Sequence, residues 1–396
     1  MEYVKIGDIC TKVCSGGTPS SGNPSYYEGG SIPWLNTNEV NFCRIYSTEK
    51  KITQLGYENS AAKYIDENSV IVAMYGVTAG KSAIAKKRLT TNQACCNLSI
   101  DGKKADYEYV YYYLKLQSET LNKLANGGAQ QNLNSKIIKD FKIPLPPLAI
   151  QHRIASILSA YDSQIENNQK RIKLLEQMAE NLYKEWFVRF RFPDYENAEF
   201  EGGMPKGWTR CKLGDLIDFQ NGFAFKSETF VPEGKYKVIT IKNVQDGQFD
   251  SSNADRVEDI PKGMPSYCKL SEGDILLSLT GNVGRVCHVI GDNMLLNQRV
   301  AKIKSSHSHF AYCMLRTPAM FAYLNMIAYG TAQLNLSPIK AANLKIIKPT
   351  ESIMEAFDKV VAPLFSSVFN LYNQIDFLSS QRDLLLPRLI SGKLSI

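Results

Sequence analysis

SVIVAMYGVTAGKSAIA, residues 69–85, and GDILLSLTGNVGRVCHV, residues 273–289, decide the fold. Each is an apolar run of strand length that enters a glycine-punctuated turn and leaves as a second apolar run, so each predicts a hairpin. Gly76 and Gly80 in the first correspond to Gly281 and Gly284 in the second. The correspondence extends outward at an offset that stays near about 205 positions. Upstream, KIGDI (5–9) recurs as KLGDL (212–216), and IPWLNTNEV (32–40) is echoed by VITIKNV (238–244). Downstream, Asn92-Gln93 matches Asn297-Gln298, GGAQQNLN from Gly127 matches GTAQLNL from Gly330, and FKIPLPP from Phe141 matches LKIIKP from Leu344. The order is kept throughout, so one ancestral unit occurs twice.

Each copy ends in a segment of a different kind. Ile154, Leu158, Tyr161, Ile165, Asn168, Ile172, Leu175, Ala179, Leu182 and Trp186 alternate by four and three, the heptad stripe of a long amphipathic helix. The second copy gives Phe357, Val361, Leu364, Val368, Leu371, Ile375, Leu378, Arg382, Leu385 and Leu389 with the same alternation. Roughly 33 residues at about 1.5 Å each make a rod of about 50 Å, longer than one small domain can cover. The two stripes are therefore expected to cover each other along a shared coiled-coil seam. Polar Asn168 and Arg382 fit a register-setting role, because a buried polar residue costs stability but fixes alignment. Pro363 is expected to kink the second helix or to mark its ordered start. The stretch from Phe190 to Gly207, with Pro193, Gly202, Gly203 and Pro205, reads as the connection between the copies.

Bulk composition narrows the function. At 396 residues the chain exceeds one hydrophobic core, and 44% hydrophobic with 21% charged residues is ordinary globular usage. No apolar run approaches the roughly 20 residues of a membrane span and no signal-peptide core follows Met1, so a soluble, cytoplasmic protein is expected. Nine scattered cysteines read as reduced thiols, and His307 with His309 lacks a second ligand pair, so no metal is expected. A net charge of +7 permits a polyanionic partner.

Catalytic signatures are missing. GVTAGKS (76–82) has three residues between its glycines where a phosphate-binding loop needs four, and it runs into a strand rather than a helix. Methyl transfer to an exocyclic amine would need an acidic residue or Asn before Pro-Pro-aromatic, whereas the single Pro-Pro, Pro146-Pro147, lies between leucines as a stiff entry to the helix. The four histidines fit no triad. No catalytic residue and no cofactor is expected.

Positive signals, local to a few segments, point to nucleic acid. Lys81 and Ser82 in one hairpin and Asn282 and Arg285 in the other sit beside glycines that let backbone approach a phosphate, with Lys86, Lys87 and Arg88 close behind. The alternative is a solvated turn. Gln130, Gln131 and Asn132 in the first copy and Gln333 and Asn335 in the second carry amides that could read adenine edges or, equally, cap helices. The tyrosines from Tyr107 to Tyr113 fall in a predicted helix as core or coil-facing residues.

The chain resembles the specificity (S) subunits of type I restriction-modification systems, along essentially its whole length. The resemblance rests on SGGTPSSGNPSYYEGGSIPW from Ser15, GGAQQNLN with IPLPPLAIQHRIASIL from Ile143, LYKEWFVRFRFP from Leu182 and LLPRLISGKL from Leu385. Two departures are visible: Ala149-Ile150-Gln151 stands where an acidic residue commonly follows the proline turn, and the second such turn is reduced to Lys348-Pro349-Thr350. The resemblance implies a mixed α/β (α+β) chain with two tandem target recognition domains, two long helices paired as an antiparallel coiled coil and a pseudo-twofold internal repeat. The expected division is residues 1–148, first recognition domain; 149–190, first spacer helix; 191–349, connection and second recognition domain; and 350–396, second spacer helix.

It further implies double-stranded DNA as ligand, a methyltransferase subunit docked on each side that modifies an adenine in each half-site, and restriction/translocation subunits as further partners. Divergent domains on a shared scaffold suit a split, asymmetric target. The rivals are a bivalent coiled-coil scaffold for protein partners and a stand-alone methyltransferase, which the missing cofactor loop disfavours. If the helices act as a ruler, inserting roughly four residues near Asn168 adds about 6 Å, nearly two base pairs. Mapping the target of the insertion variant checks this; an unchanged spacing between half-sites would count against the ruler.

Overall fold

The computed structural model describes residues 2–126, 133–330 and 334–394. It divides into two compact units, Met1–Gln164 with Leu378–Ile396, and Ile165–Phe377, so each unit takes a part of both long helices.

In the first unit the predicted hairpin forms as drawn. Val70–Ala73 pairs antiparallel with Ser82–Ala85, Val70 opposite Ile84 and Val72 opposite Ser82. These strands lie inside a five-stranded sheet in the order Cys10–Ser15, Cys95–Ile100, Val70–Ala73, Ser82–Ala85, Cys43–Ile45. A four-stranded sheet runs Lys50–Ile52, Ile32–Leu35, Leu89–Thr91, Tyr64–Ile65, with a parallel central pair. Tyr3–Lys5 and Lys142–Pro144 form a separate antiparallel pair. All eight residues of the hairpin strands are buried, which is why both runs are apolar without alternation.

The second unit repeats this topology. Ile275–Ser278 pairs antiparallel with Val286–His288 inside the order Asp218–Asn221, Val300–Lys304, Ile275–Ser278, Val286–His288. The companion sheet runs Asp255–Val257, Tyr236–Ile239, Met294–Leu296, Lys269–Leu270, again with a parallel central pair. Thr209–Lys212 and Lys345–Lys348 repeat the separate pair. A fifth strand beside the hairpin is seen in the first unit alone among the described residues. At its edge Phe42 N donates to Ser82 O, and in the second unit Gly247 N donates to Val286 O at the matching place. Phe42 and Gly247 both have positive φ, 51° and 69°. At Gly247 the missing side chain is used: a Cβ there would lie 2.4 Å from Arg316 Nη2.

Behind the first hairpin packs the tyrosine-rich helix Tyr107–Leu116, capped by Asp106, whose Oδ1 accepts from Tyr109 N at 2.9 Å. Buried phenols need partners. Tyr109 and Tyr113 donate to Pro144 O and Lys142 O, each at 2.8 Å, and Tyr112 donates to Asp162 Oδ2 at 2.6 Å. The expectation of core and coil-facing tyrosines holds for this helix.

The first long helix spans Leu148–Tyr183 and continues through one π turn, Lys184–Val188; the second spans Glu351–Ile390. Pro146-Pro147 precedes the first, and Gln151 lies in its first turn. It is buried, donates to Pro146 O at 2.8 Å and accepts from Asp106 N at 3.0 Å. Pro363 does not mark an ordered start: the second helix begins at Glu351 and runs through Pro363, on an exposed face where the lost N–H bond is cheapest.

Within the second unit the helices pair antiparallel. Asn168 Nδ2 donates to Gln374 Oε1 at 3.1 Å, Ile172 clusters with Val368 and Leu371, and Trp186 meets Phe357 edge-on at 5.6 Å. Leu175, Ile375, Leu182 and Leu364 are half-buried along the same seam. Within the first unit the direction is the same: Arg382 pairs with Asp162, while Ile154 and Leu158 share a core with Leu386, Leu389 and Ile390, flanked by Leu385. Ile165 is buried, and Tyr161 and Leu378 are half-buried. The buried arc is wider than the heptad stripe because each helix also seats a recognition domain. Phe365, one position off the stripe, is 1% exposed and stacks on His309 at 5.1 Å.

The second unit's helix seat carries a charge cluster. Arg316 reaches Glu180 at 3.1 Å and Asp246 at 3.4 Å. Burial pushes the neighbouring Glu176 carboxyl up to about 7, with Glu180 and Asp246 adding to the rise and Arg316 opposing it. A carboxyl raised on folding favours the fold below its unfolded pKa, and this contribution is lost as pH climbs through the folded value. Stability should therefore fall between about pH 4.5 and 7 through this group. Glu176→Gln should flatten that segment and raise the midpoint of urea unfolding above pH 7; an unaltered pH profile would refute the assignment.

Candidate nucleic-acid interface

Three repeated sequence segments meet at one end of the hairpin in each unit. In the first, Met74 follows the hairpin's opening strand; its N–H donates to Ala94 O at 2.8 Å and its carbonyl accepts from Leu133 N at 3.2 Å. In the second, Leu279 N donates to Arg299 O at 3.0 Å and Leu279 O accepts from Leu336 N at 2.7 Å. One backbone residue thus ties the hairpin loop, the Asn-Gln turn and the segment beyond residue 132 or 333 into one junction. The expectation of a shared scaffold is met atom for atom here.

The hairpin loops are held alike. Gly76 and Gly281 have φ of 75° and 72°, Gly80 and Gly284 both 84°. A Cβ on Gly80 would lie 2.7 Å from Ser118 O, so the loop lies against the helix Ser118–Asn126. From that helix Asn122 Nδ2 donates to Ala79 O at 3.0 Å, and Asn325 Nδ2 donates to Val283 O at 3.2 Å in the other copy.

Lys81 and Arg285 occupy the same place on this frame, each accepting at its carbonyl from the last hairpin-strand residue, Ala73 N at 2.9 Å and Ser278 N at 3.0 Å. Both are half-buried. Lys81 Nζ donates to Asn41 Oδ1 at 2.8 Å and lies 5.8 Å from the Phe42 ring centroid, with no carboxylate partner among the described residues. Lys115 Nζ lies at the same distance from that ring; burial, then Arg382, holds its pKa below the ordinary lysine value. Arg285 makes no ion pair with a described residue. Asn282 and Asn335 are exposed in the second junction, where Asn335 Oδ1 accepts from Thr280 Oγ1 at 3.1 Å.

Other candidates are placed elsewhere. Ser82 is fully buried and its hydroxyl has no partner, so it is no exposed phosphate donor: the strand that carries it is covered on both faces. Lys86, Lys87 and Arg88 lie at the far end of that strand, roughly 16 Å from Lys81 at about 3.3 Å per residue. Lys86 Nζ donates to Asn68 Oδ1 at 2.7 Å and to the Tyr107 hydroxyl at 3.3 Å. Arg88 covers Tyr64 at 4.2 Å, and Lys87 is exposed. They form no part of the junction. Gln130, Gln131, Asn132 and Gln333 lie outside the described residues. Next to them Asn134 does cap a helix, accepting from Ile137 N at 2.9 Å.

The Asn-Gln turn was legible as a repeat and its role was not. Asn92 and Asn297 spend their side chains on their own turns, accepting from Ala94 N and Arg299 N, each at 3.2 Å. Glycine lies beneath both: a Cβ on Gly16 would sit 2.0 Å from Thr91 O, and one on Gly222 would sit 2.2 Å from Asn297 O. The SGGTP stretch is therefore a packing requirement of the turn. Its counterpart, Asn221-Gly222-Phe223, is too short to betray itself by sequence.

Among the described residues no group of three or more His, Cys, Asp or Glu is arranged to hold a metal, and no helix is long and apolar enough to cross a membrane. Residues 1–177 and 205–375 each match the family described as the type I restriction modification DNA specificity domain. The chain is 30% identical to the specificity subunit of type I restriction enzyme MjaIX from Methanocaldococcus jannaschii over 100% of its own length and 94% of the relative's. It is 28% identical to the MjaVIII specificity subunit of the same organism, covering 93% and 86%. The crystal structure of the type I restriction-modification system S subunit from M. genitalium superposes with a TM-score of 0.57 at 17% identity, covering 98% of this chain and 95% of that one, which shows a common fold. With both copies of its repeat matched, the chain belongs to the type I restriction-modification DNA specificity family.

Proposed function

We propose that this chain is the non-catalytic DNA-recognition subunit of a type I restriction-modification complex. It reads a bipartite, asymmetric double-stranded target, one half-site per recognition domain, and directs two methyltransferase subunits and the restriction/translocation subunits to it in the cytoplasm. The division into recognition domains 1–148 and 191–349 and spacer helices 149–190 and 350–396 is part of this reading. One observation carries it: the same three-segment junction stands in both units on the same backbone hydrogen bonds, while its exposed and half-buried side chains differ, Val77 against Asn282 and Lys81 against Arg285. A constant frame with variable tips is what two related half-site readers require. The rival reading as a protein-interaction scaffold is not favoured by the family match.

Co-expression with the methyltransferase subunit and genome-wide mapping of modified bases tests the reading directly. A split methylated motif that disappears without this chain is the expected result; methylation independent of the chain would refute it. Lys81 and Arg285 are assigned to phosphate. Lys81→Ala and Arg285→Ala should each weaken binding on every sequence and reduce the slope of log affinity against log salt by about 1. A change in which base is preferred would show instead that these side chains read base edges.

A further inference from the structure

The turn that follows the companion-sheet strand has the same hydrogen bonds in both units. Asn92 N donates to Leu35 O at 2.9 Å and Asn297 N to Ile239 O at 3.0 Å; Cys95 N returns to Asn92 O at 3.2 Å and Val300 N to Asn297 O at 2.9 Å. With the asparagine amide committed to the turn and a glycine pressed against it from below, the backbone has no freedom to reorient. The residue it presents is glutamine in both copies, Gln93 and Gln298, and both are exposed. Gln93 is additionally held by the Thr18 hydroxyl, which donates to its Oε1, and Ala224 occupies the equivalent sequence position in the second copy.

An exposed glutamine on a turn is ordinarily just solvated. These two differ because identity is kept where the frame is fixed, while the neighbouring loop tips have diverged. The turn is tied through the same junction to Lys81 or Arg285, so the hairpin cation and the glutamine belong to one backbone frame. A carboxamide offers one N–H donor edge and one carbonyl acceptor, the complement of adenine N7 and N6 in the major groove.

We propose that Gln93 and Gln298 each read an adenine edge in the major groove, at the same register in their respective half-sites. This rests on the DNA-recognition reading above and adds to it that two otherwise different half-sites share a base besides the adenine that is methylated. That adenine remains stacked, so it is distinct from any base handed to a methyltransferase, which must leave the helix. Thr18 is a positioning residue for Gln93.

The test uses the assembled complex of this chain with its methyltransferase subunits, mapping methylated sites for the unaltered protein and for Gln93→Ala, Gln298→Ala, Gln93→Glu and Gln298→Glu. The unaltered motif should hold, besides the methylated adenine of each half, a second adenine at matching positions of its two halves. Gln93→Ala should relax that position in one half only and Gln298→Ala in the other only, by roughly 5- to 150-fold in discrimination. The glutamate variants should shift preference toward cytosine, whose N4 amine a carboxylate accepts. Melting temperatures equal to that of the unaltered chain establish that the variants fold. An even loss of methylation across all sites, relaxation in both halves from one substitution, or a split motif whose halves share no adenine besides the methylated ones overturns the glutamine assignment alone. A motif that is not split at all overturns the recognition reading with it.

Discussion

The recognition frame depends on the backbone hydrogen bonds of one residue per unit, Met74 and Leu279, which join a hairpin loop, a turn and a third segment. Each such bond is worth only about 1 kcal/mol net, yet leaving a buried backbone group unpaired costs more than that. The junction is therefore held by what it would cost to break. Because the bonds use main-chain atoms, they constrain the path of the chain and leave side-chain identity open. Met and Leu occupy the pivot interchangeably, and loop tips around it vary without disturbing the frame. Around this junction a glycine is demanded where a Cβ would strike backbone, as at Gly16, Gly80 and Gly222.

The helices impose a different kind of constraint. Their apolar seam is non-directional and would tolerate a shift of one turn. The polar pairs, each with one buried partner, do not. Asn168 with Gln374 in one unit and Asp162 with Arg382 in the other fix which residues face each other, since a slip would strand a buried amide or a charge. In the first unit the same aspartate accepts the Tyr112 hydroxyl, so helix register and recognition-domain seating share one carboxylate. A change at Asp162 would thus be felt by both, and its effects would not add with those of Arg382 or Tyr112.

The sequence was most informative where the physics is periodic or repeated. The hairpins, the heptad stripes and the duplication could be read because each leaves a pattern over many residues. Phe365, Leu386 and Ile390 escaped the stripe because a heptad describes contact with one partner, and these helices have two. Ser82 reads as an exposed donor and is buried, because alternation, the usual sign of an exposed face, is absent in a strand covered on both sides. Lys86 and Arg88 were adjacent to Lys81 in the chain, but extended backbone carries them far from it. The Asn-Gln turn was seen and not understood: its meaning lies in contacts with Gly16 and Met74, which no local pattern encodes.

A frame held by main-chain bonds also explains how one unit can occur twice and come to read two things. If specificity depended on side chains that also held the fold, each change of target would cost stability, and the copies would diverge slowly. Here the asparagine, the glycine and the pivot hydrogen bonds hold the fold, while Val77, Asn282, Lys81 and Arg285 occupy exposed or half-exposed tips whose replacement removes little packing. Substitutions at such positions typically fall within about 0.5 kcal/mol of neutral for stability. The exposed tips are then free to drift, and a residue that remains the same at such a tip in both copies, as Gln93 and Gln298 do, is kept by something other than the fold.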